Sequence, residues 1–119
     1  MKFLFTLITS LFFTTAVFAD EPVVTGVQIS EPDASGKHTF HVSVKHADTG
    51  WDHYADNFEI LSPDGTILAT RVLHHPHVNE QPFTRSKSGV VIPKGLKEVD
   101  VRAHDSVHGY GPTVRVELP

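Results

Sequence analysis

Residues 38–46 read HTFHVSVKH, and their side chains alternate: Phe40, Val42 and Val44 fall on one face of an extended chain, His41, Ser43 and Lys45 on the other. A period of two marks a strand with one buried and one wet face. Two later stretches repeat the pattern. Glu98 to His104 carries Val99, Val101 and Ala103 on one side, and Thr113 to Leu118 sets Val114, Val116 and Leu118 against Thr113, Arg115 and Glu117. Working outward, Val23 to Ile29, Asn57 to Leu61 (Phe58 and Ile60 inward), Thr66 to Leu73 and Ser88 to Ile92 add four short apolar runs. After Ala19 no stretch keeps the i, i+3, i+4, i+7 stripe of a helix. The pattern predicts an all-β fold: a single antiparallel β-sandwich of about seven strands, of immunoglobulin-like or fibronectin-III-like type.

The first nineteen residues, MKFLFTLITSLFFTTAVFA, are of another kind. Lys2 gives a positive start, Phe3 to Phe13 a short apolar run, and Val17-Phe18-Ala19 a small-residue cleavage pattern. These features predict a secretory signal peptide over 1–19, a sandwich domain over 20–119, and a periplasmic or secreted protein with no membrane contact after cleavage. The chain of 119 residues contains no cysteine. A disulfide framework, thiol chemistry, iron–sulfur clusters, cysteine lipidation and a soft copper(I) site are therefore excluded, and the core must come from aliphatic and aromatic packing. The 14 acidic residues outnumber the 10 basic ones, and no Lys/Arg cluster exists, so nucleic acid is not an expected partner.

The connections sort into two kinds. Glu31 to Gly36, Ser62 to Gly65 and Pro93 to Gly95 hold the Pro, Asp and Gly that turns require, and no histidine. The other three read HADTGWDHYAD (46–56), HHPHVNEQPFTRSKS (74–88) and HDSVHGYG (104–111), and hold seven of the nine histidines, Trp51, Tyr54 and Tyr110. Successive strands reverse in an antiparallel sandwich, so alternate connections share an end. The plain connections are the first, third and fifth, and the rich ones the second, fourth and sixth. Seven strands therefore place all three rich loops at one end, provided any strand inside 74–88 merely extends its neighbour.

Neutral imidazole is the commonest metal ligand, and without sulfur the ions to expect are copper(II) or zinc. The candidate ligands are His53, His75, His77, His104 and His108, with Asp52 and Asp105 as oxygen ligands or as acceptors that fix a histidine tautomer. His75-Pro76-His77 sets two rings on one side of an extended chain. His46 and His74 read as strand ends, and His38 and His41 as surface. The rival reading is a protein-interaction surface built from Trp51, Tyr54, Glu80, Arg85 and Tyr110, residues of the kind found at binding hot spots. Trp51 and Tyr54 also suit a cap on the end of the core. A metal reading requires three or four nitrogen or oxygen atoms able to meet within about 2.0–2.2 Å of one point.

Several chemistries lack their residues. An N-terminal histidine copper site fails because Asp20 follows the cleavage pattern, and a blue-copper site fails for want of cysteine. Ser106 between His104 and His108 has no Gly-x-Ser-x-Gly elbow or oxyanion-hole pattern around it. The stretches TGWDHYADNFEI (49–60), HPHVNEQPFTRS (75–86) and VRAHDSVHGYG (101–111) resemble those of small secreted immunoglobulin-like proteins of Gram-negative bacteria. That resemblance implies export and a β-sandwich, and transfers no catalytic residue. The expected role is a non-catalytic metal carrier, buffer or accessory protein.

Overall fold

A computed structural model describes residues 21–119; the predicted signal peptide lies outside the described residues. Eight strands follow in order: β1 (Val23–Ile29), β2 (His38–Lys45), β3 (Ala55–Leu61), β4 (Ile67–Val72), β5 (Phe83–Val90), β6 (Glu98–Asp105), β7 (Gly109–Tyr110) and β8 (Val114–Glu117). They form two antiparallel sheets. One is β1-β2-β5; the other runs β4-β3-β6, with β7 and β8 both paired to β6. This is the all-β sandwich that the alternation predicts, with seven main strands and a two-residue eighth.

The register explains the core. Val42 pairs with Val27 on one side and Arg85 on the other, and Val44 pairs with Phe83. Across the gap, Phe58 lies opposite Ala103 and Ile60 opposite Val101, while Val101 and Val99 meet Val114 and Val116 of β8. Phe40, Val42, Val44, Phe58, Ile60, Phe83, Val99, Val101 and Ala103 are buried in one cluster. Every second residue of β2 and β6 points into it, as a sandwich with two wet outer faces demands.

β3, β4 and β6 differ from their predicted bounds by one or two residues at an end, and two other parts of the chain differ more. β5 begins at Phe83, five residues before Ser88, and runs unbroken to Val90. Thr84, Ser86 and Ser88 face outward, while Arg85 and Lys87, on the core side opposite Val42 and Phe40, are only half-buried because β5 is a sheet edge; polar residues on both faces hide the strand from a search for apolar runs. The added length extends the strand toward the 74–82 loop, so the alternation of loop ends is preserved. β7 and β8 run in the same direction along β6, making one closing strand interrupted at 111–113.

The interruption depends on Gly111. Its N–H donates to the Ala103 carbonyl (2.9 Å), and a Cβ built on it would fall onto the Pro22 carbonyl oxygen. Gly111→Ala is expected to cost about 1–3 kcal/mol, since main chain cannot swing aside as a flexible side chain would. A shift of the urea midpoint at unchanged slope measures it; an unshifted midpoint would show that the N-terminal segment moves freely off β6.

Candidate metal centre

The inward ladder of β2, Phe40–Val42–Val44, continues one step past the strand to His46. That of β6, Val99–Val101–Ala103, continues one step to Asp105. Because the two ladders face each other, both polar side chains land in one layer on the end of the apolar core, fully buried. His46 Nε2 lies 3.1 Å from Asp105 Oδ2, and its Nδ1 lies 2.5 Å from Asp48 Oδ1. Asp48, two residues on, is also buried and ties neighbouring chain down: Oδ1 accepts the Ala55 N–H (3.1 Å) and Oδ2 the His77 N–H (2.7 Å).

Two more imidazoles converge on the same oxygen. His53 sits in a tight turn, its N–H donating to the Gly50 carbonyl at 3.2 Å, and its Nε2 is 3.4 Å from Asp105 Oδ2. His108 arrives through the turn after β6. The other Asp105 oxygen, Oδ1, accepts the N–H groups of Val107 (2.7 Å) and His108 (2.5 Å), and Gly109 takes a φ of 88° that glycine adopts freely, turning the chain back as β7. His108 Nδ1 is then 3.4 Å from Asp105 Oδ2 and 3.2 Å from His53 Nε2. Ligand atoms of His46, His53 and Asp105 all lie within 4.8 Å of one another. In a tetrahedral zinc site with bonds of about 2.0–2.1 Å, neighbouring ligand atoms stand about 3.3–3.4 Å apart.

Electrostatics favours the charged form of the central carboxyl. Burial pushes the Asp105 carboxyl up, but the His108 and Val107 N–H groups, with His53 and His46, outweigh it and hold the carboxyl below its ordinary value. Among the described residues, no lysine or arginine forms an ion pair with Asp48 or Asp105; their partners are histidines.

The remaining candidates lie elsewhere. His77 is buried behind the cluster, stacked on Phe83 with ring centroids 4.0 Å apart. Its Nε2 takes a hydrogen bond from Arg85 (2.9 Å), which leaves the proton on Nδ1, an atom without a hydrogen-bond partner and 4.0 Å from Asp48 Oδ2. Burial, then Arg85 and His75, lowers the His77 pKa, so this ring is neutral. His75 is exposed against the Pro76 carbonyl, and Asp52 is exposed in the turn after Trp51. His104 points outward, since it alternates with Asp105, and its Nδ1 meets Asp56 at 2.6 Å. The His-x-His spacing thus sets the two rings side by side, centroids 4.7 Å apart, with His77 buried and His75 in solvent.

The interaction residues are also spread. Trp51 is 67% exposed and touches Tyr54 edge-on, so it does not cap the core; the His46–Asp105 layer does. Arg85 is tied to His77, Glu80 and the Thr84 carbonyl. Tyr110 donates to Glu59 (3.0 Å) under the Arg102 guanidinium, whose carbon is 3.7 Å from the ring. Among the sequence candidates the structure gathers His53, His108 and Asp105, and it adds His46 and Asp48. Carrying each inward alternation one rung further marks His46 and Asp105 as inward-facing, and the stacking of the sheets is what brings them together.

The chain is similar to a protein named "Putative lipoprotein" from Halomicrobium mukohataei, 40% identical over 86 residues. The match covers 71% of this chain and 42% of that protein, so the chain spans about two-fifths of its relative's length. No family model matches the chain, and no solved structure matches it.

Proposed function

We propose that this is an exported metal-binding accessory protein that holds zinc or copper(II) through His46 Nε2, His53 Nε2, His108 Nδ1 and Asp105 Oδ2. The observation that carries the reading is the convergence of three imidazole nitrogens on one buried carboxylate oxygen. A proton on one ring joins that ring alone to the oxygen. A divalent ion would join His46, His53 and Asp105, whose ligand atoms lie within 4.8 Å of one another, with His108 drawn in from the solvent side, and its two positive charges would balance the Asp48 and Asp105 carboxylates where no arginine or lysine does. Asp48 serves as the outer partner of His46: by accepting the Nδ1 proton it leaves Nε2 free to ligate, the usual arrangement for a metal-bound histidine. Three nitrogens and one oxygen without sulfur suit these two ions over copper(I). Export rests on the leader-like residues 1–19 and on the similarity to a lipoprotein.

Calorimetric titration with zinc and copper(II) tests the site. One-to-one binding of micromolar or tighter affinity is expected, retained in His75→Ala and lost in His53→Ala. Weak multi-site binding that is the same in both variants would overturn the reading. A second reading, a protein-docking surface, has its own support: Trp51, Val78 (53% exposed) and Val107 (57%) each project from a different one of the three loops.

A further inference from the structure

We propose that the bound ion is the inter-sheet cross-link of this cysteine-free sandwich, ordering the three-loop end when it binds and releasing it when it leaves. The inference rests on the metal reading above and says what the ion does there.

Topology is the first support. His46 extends β2 of the three-stranded sheet, and Asp105 ends β6 of the five-stranded sheet. In immunoglobulin domains the strands at these two places are joined by a disulfide. Here the strand pair is tied instead by a histidine and a carboxylate whose nearest atoms are 3.1 Å apart. An ion bonded to both would bridge the sheets covalently in effect, at the end of the core.

The second support is how much chain hangs on this layer. Asp48 holds the Ala55 and His77 amides, and Asp105 holds those of Val107 and His108. Gln81 reaches across as well: its carbonyl accepts the His46 N–H and its amide donates to the His77 carbonyl, both at 2.9 Å. Each rich loop is therefore fastened to the polar layer, and the 74–82 segment meets the apolar cluster besides through His77 stacked on Phe83. Leu73 and Phe83 hold the ends of the 74–82 segment, while Trp51, Val78 and Val107 face solvent. Two carboxylates, Asp48 and Asp105, are buried in this layer with histidines as their ion-pair partners and no lysine or arginine beside them, so a divalent ion would balance their charge and tighten the layer's hold on its loops. Free energy of ion binding then becomes free energy of local folding.

Amide hydrogen exchange of the protein with added zinc sulfate, and again after EDTA, tests this. The His46, Ala55, His77, Val107 and His108 amides are expected to gain at least tenfold protection with zinc, reversed by EDTA. The Phe58 and Val101 amides, in mid-sheet, should change less. The midpoint of thermal unfolding should rise by about 10 °C or more at saturating zinc. In His108→Ala, which removes only the solvent-side nitrogen, the loop protection should require at least tenfold more zinc. Tight one-to-one binding with unchanged loop amides would overturn the cross-link and leave a metal carried on a preformed site. No binding at all would remove the metal reading, and the cross-link with it.

Discussion

Asp105→Asn is expected to leave a folded sandwich that binds zinc at least about 100-fold more weakly. Loss of an outer partner of a metal ligand alone costs 10–100-fold, and under the metal reading Asp105 would be a ligand as well as the point on which three histidines converge. Asparagine keeps one carbonyl oxygen to accept the Val107 and His108 N–H groups, so the turn that carries His108 survives. What changes is the other atom: an amide nitrogen, a donor with no charge, would stand where Oδ2 meets His46 at 3.1 Å. Calorimetry reads the affinity and circular dichroism the fold. Full zinc affinity in a folded Asp105→Asn protein would place the ion elsewhere. Asp105→Ala is the harsher change, since it also orphans two backbone donors, and about 3–5 kcal/mol of stability should go with it.

Phe58→Ala is the core substitution with the largest expected effect, about 3–5 kcal/mol. The ring is fully buried on β3, between β4 and β6, and pairs across the sheet with Ala103, the last apolar rung before Asp105. Ala103 is too small to fill the space, and the sheets are held apart by their other side chains, so a cavity remains. A domain of this size is stable by about 5–15 kcal/mol in all, so the loss is a large fraction. Guanidinium unfolding of the zinc-free protein isolates it from any contribution of the ion. A loss under 1 kcal/mol would mean that the sheets close over the gap.

Both variants follow from one arrangement, in which an apolar cluster closed by side-chain area carries a polar layer closed by charge. Much of this is legible in the chain. Alternation of Phe40, Val42 and Val44, and of Val99, Val101 and Ala103, fixes two facing ladders without reference to anything distant, because pleating is local. Loop chemistry and strand parity place His53, His108 and Asp105 at one end. β5 is the strand that alternation conceals: its core-side Arg85 and Lys87 are polar, which only a sheet edge tolerates, and which strand is an edge is decided by topology.

By itself the sequence determined that this is a β-sandwich without cysteine, with its histidines and aromatics concentrated in alternate connections. Backbone geometry and side-chain polarity are enough for that. Only the tertiary structure decided which histidines meet. His75 and His77 keep their rings together, with centroids 4.7 Å apart, yet only His77 is buried, because Phe83 stacking and Arg85 hold it inward. His104 and Asp105 are neighbours yet face opposite sides of β6. His46 and Asp105 are 59 residues apart yet nearly touch, since each is the next rung of a ladder whose partner stands in the other sheet. Convergence of that kind depends on how the sheets are stacked, a long-range property that no local pattern encodes.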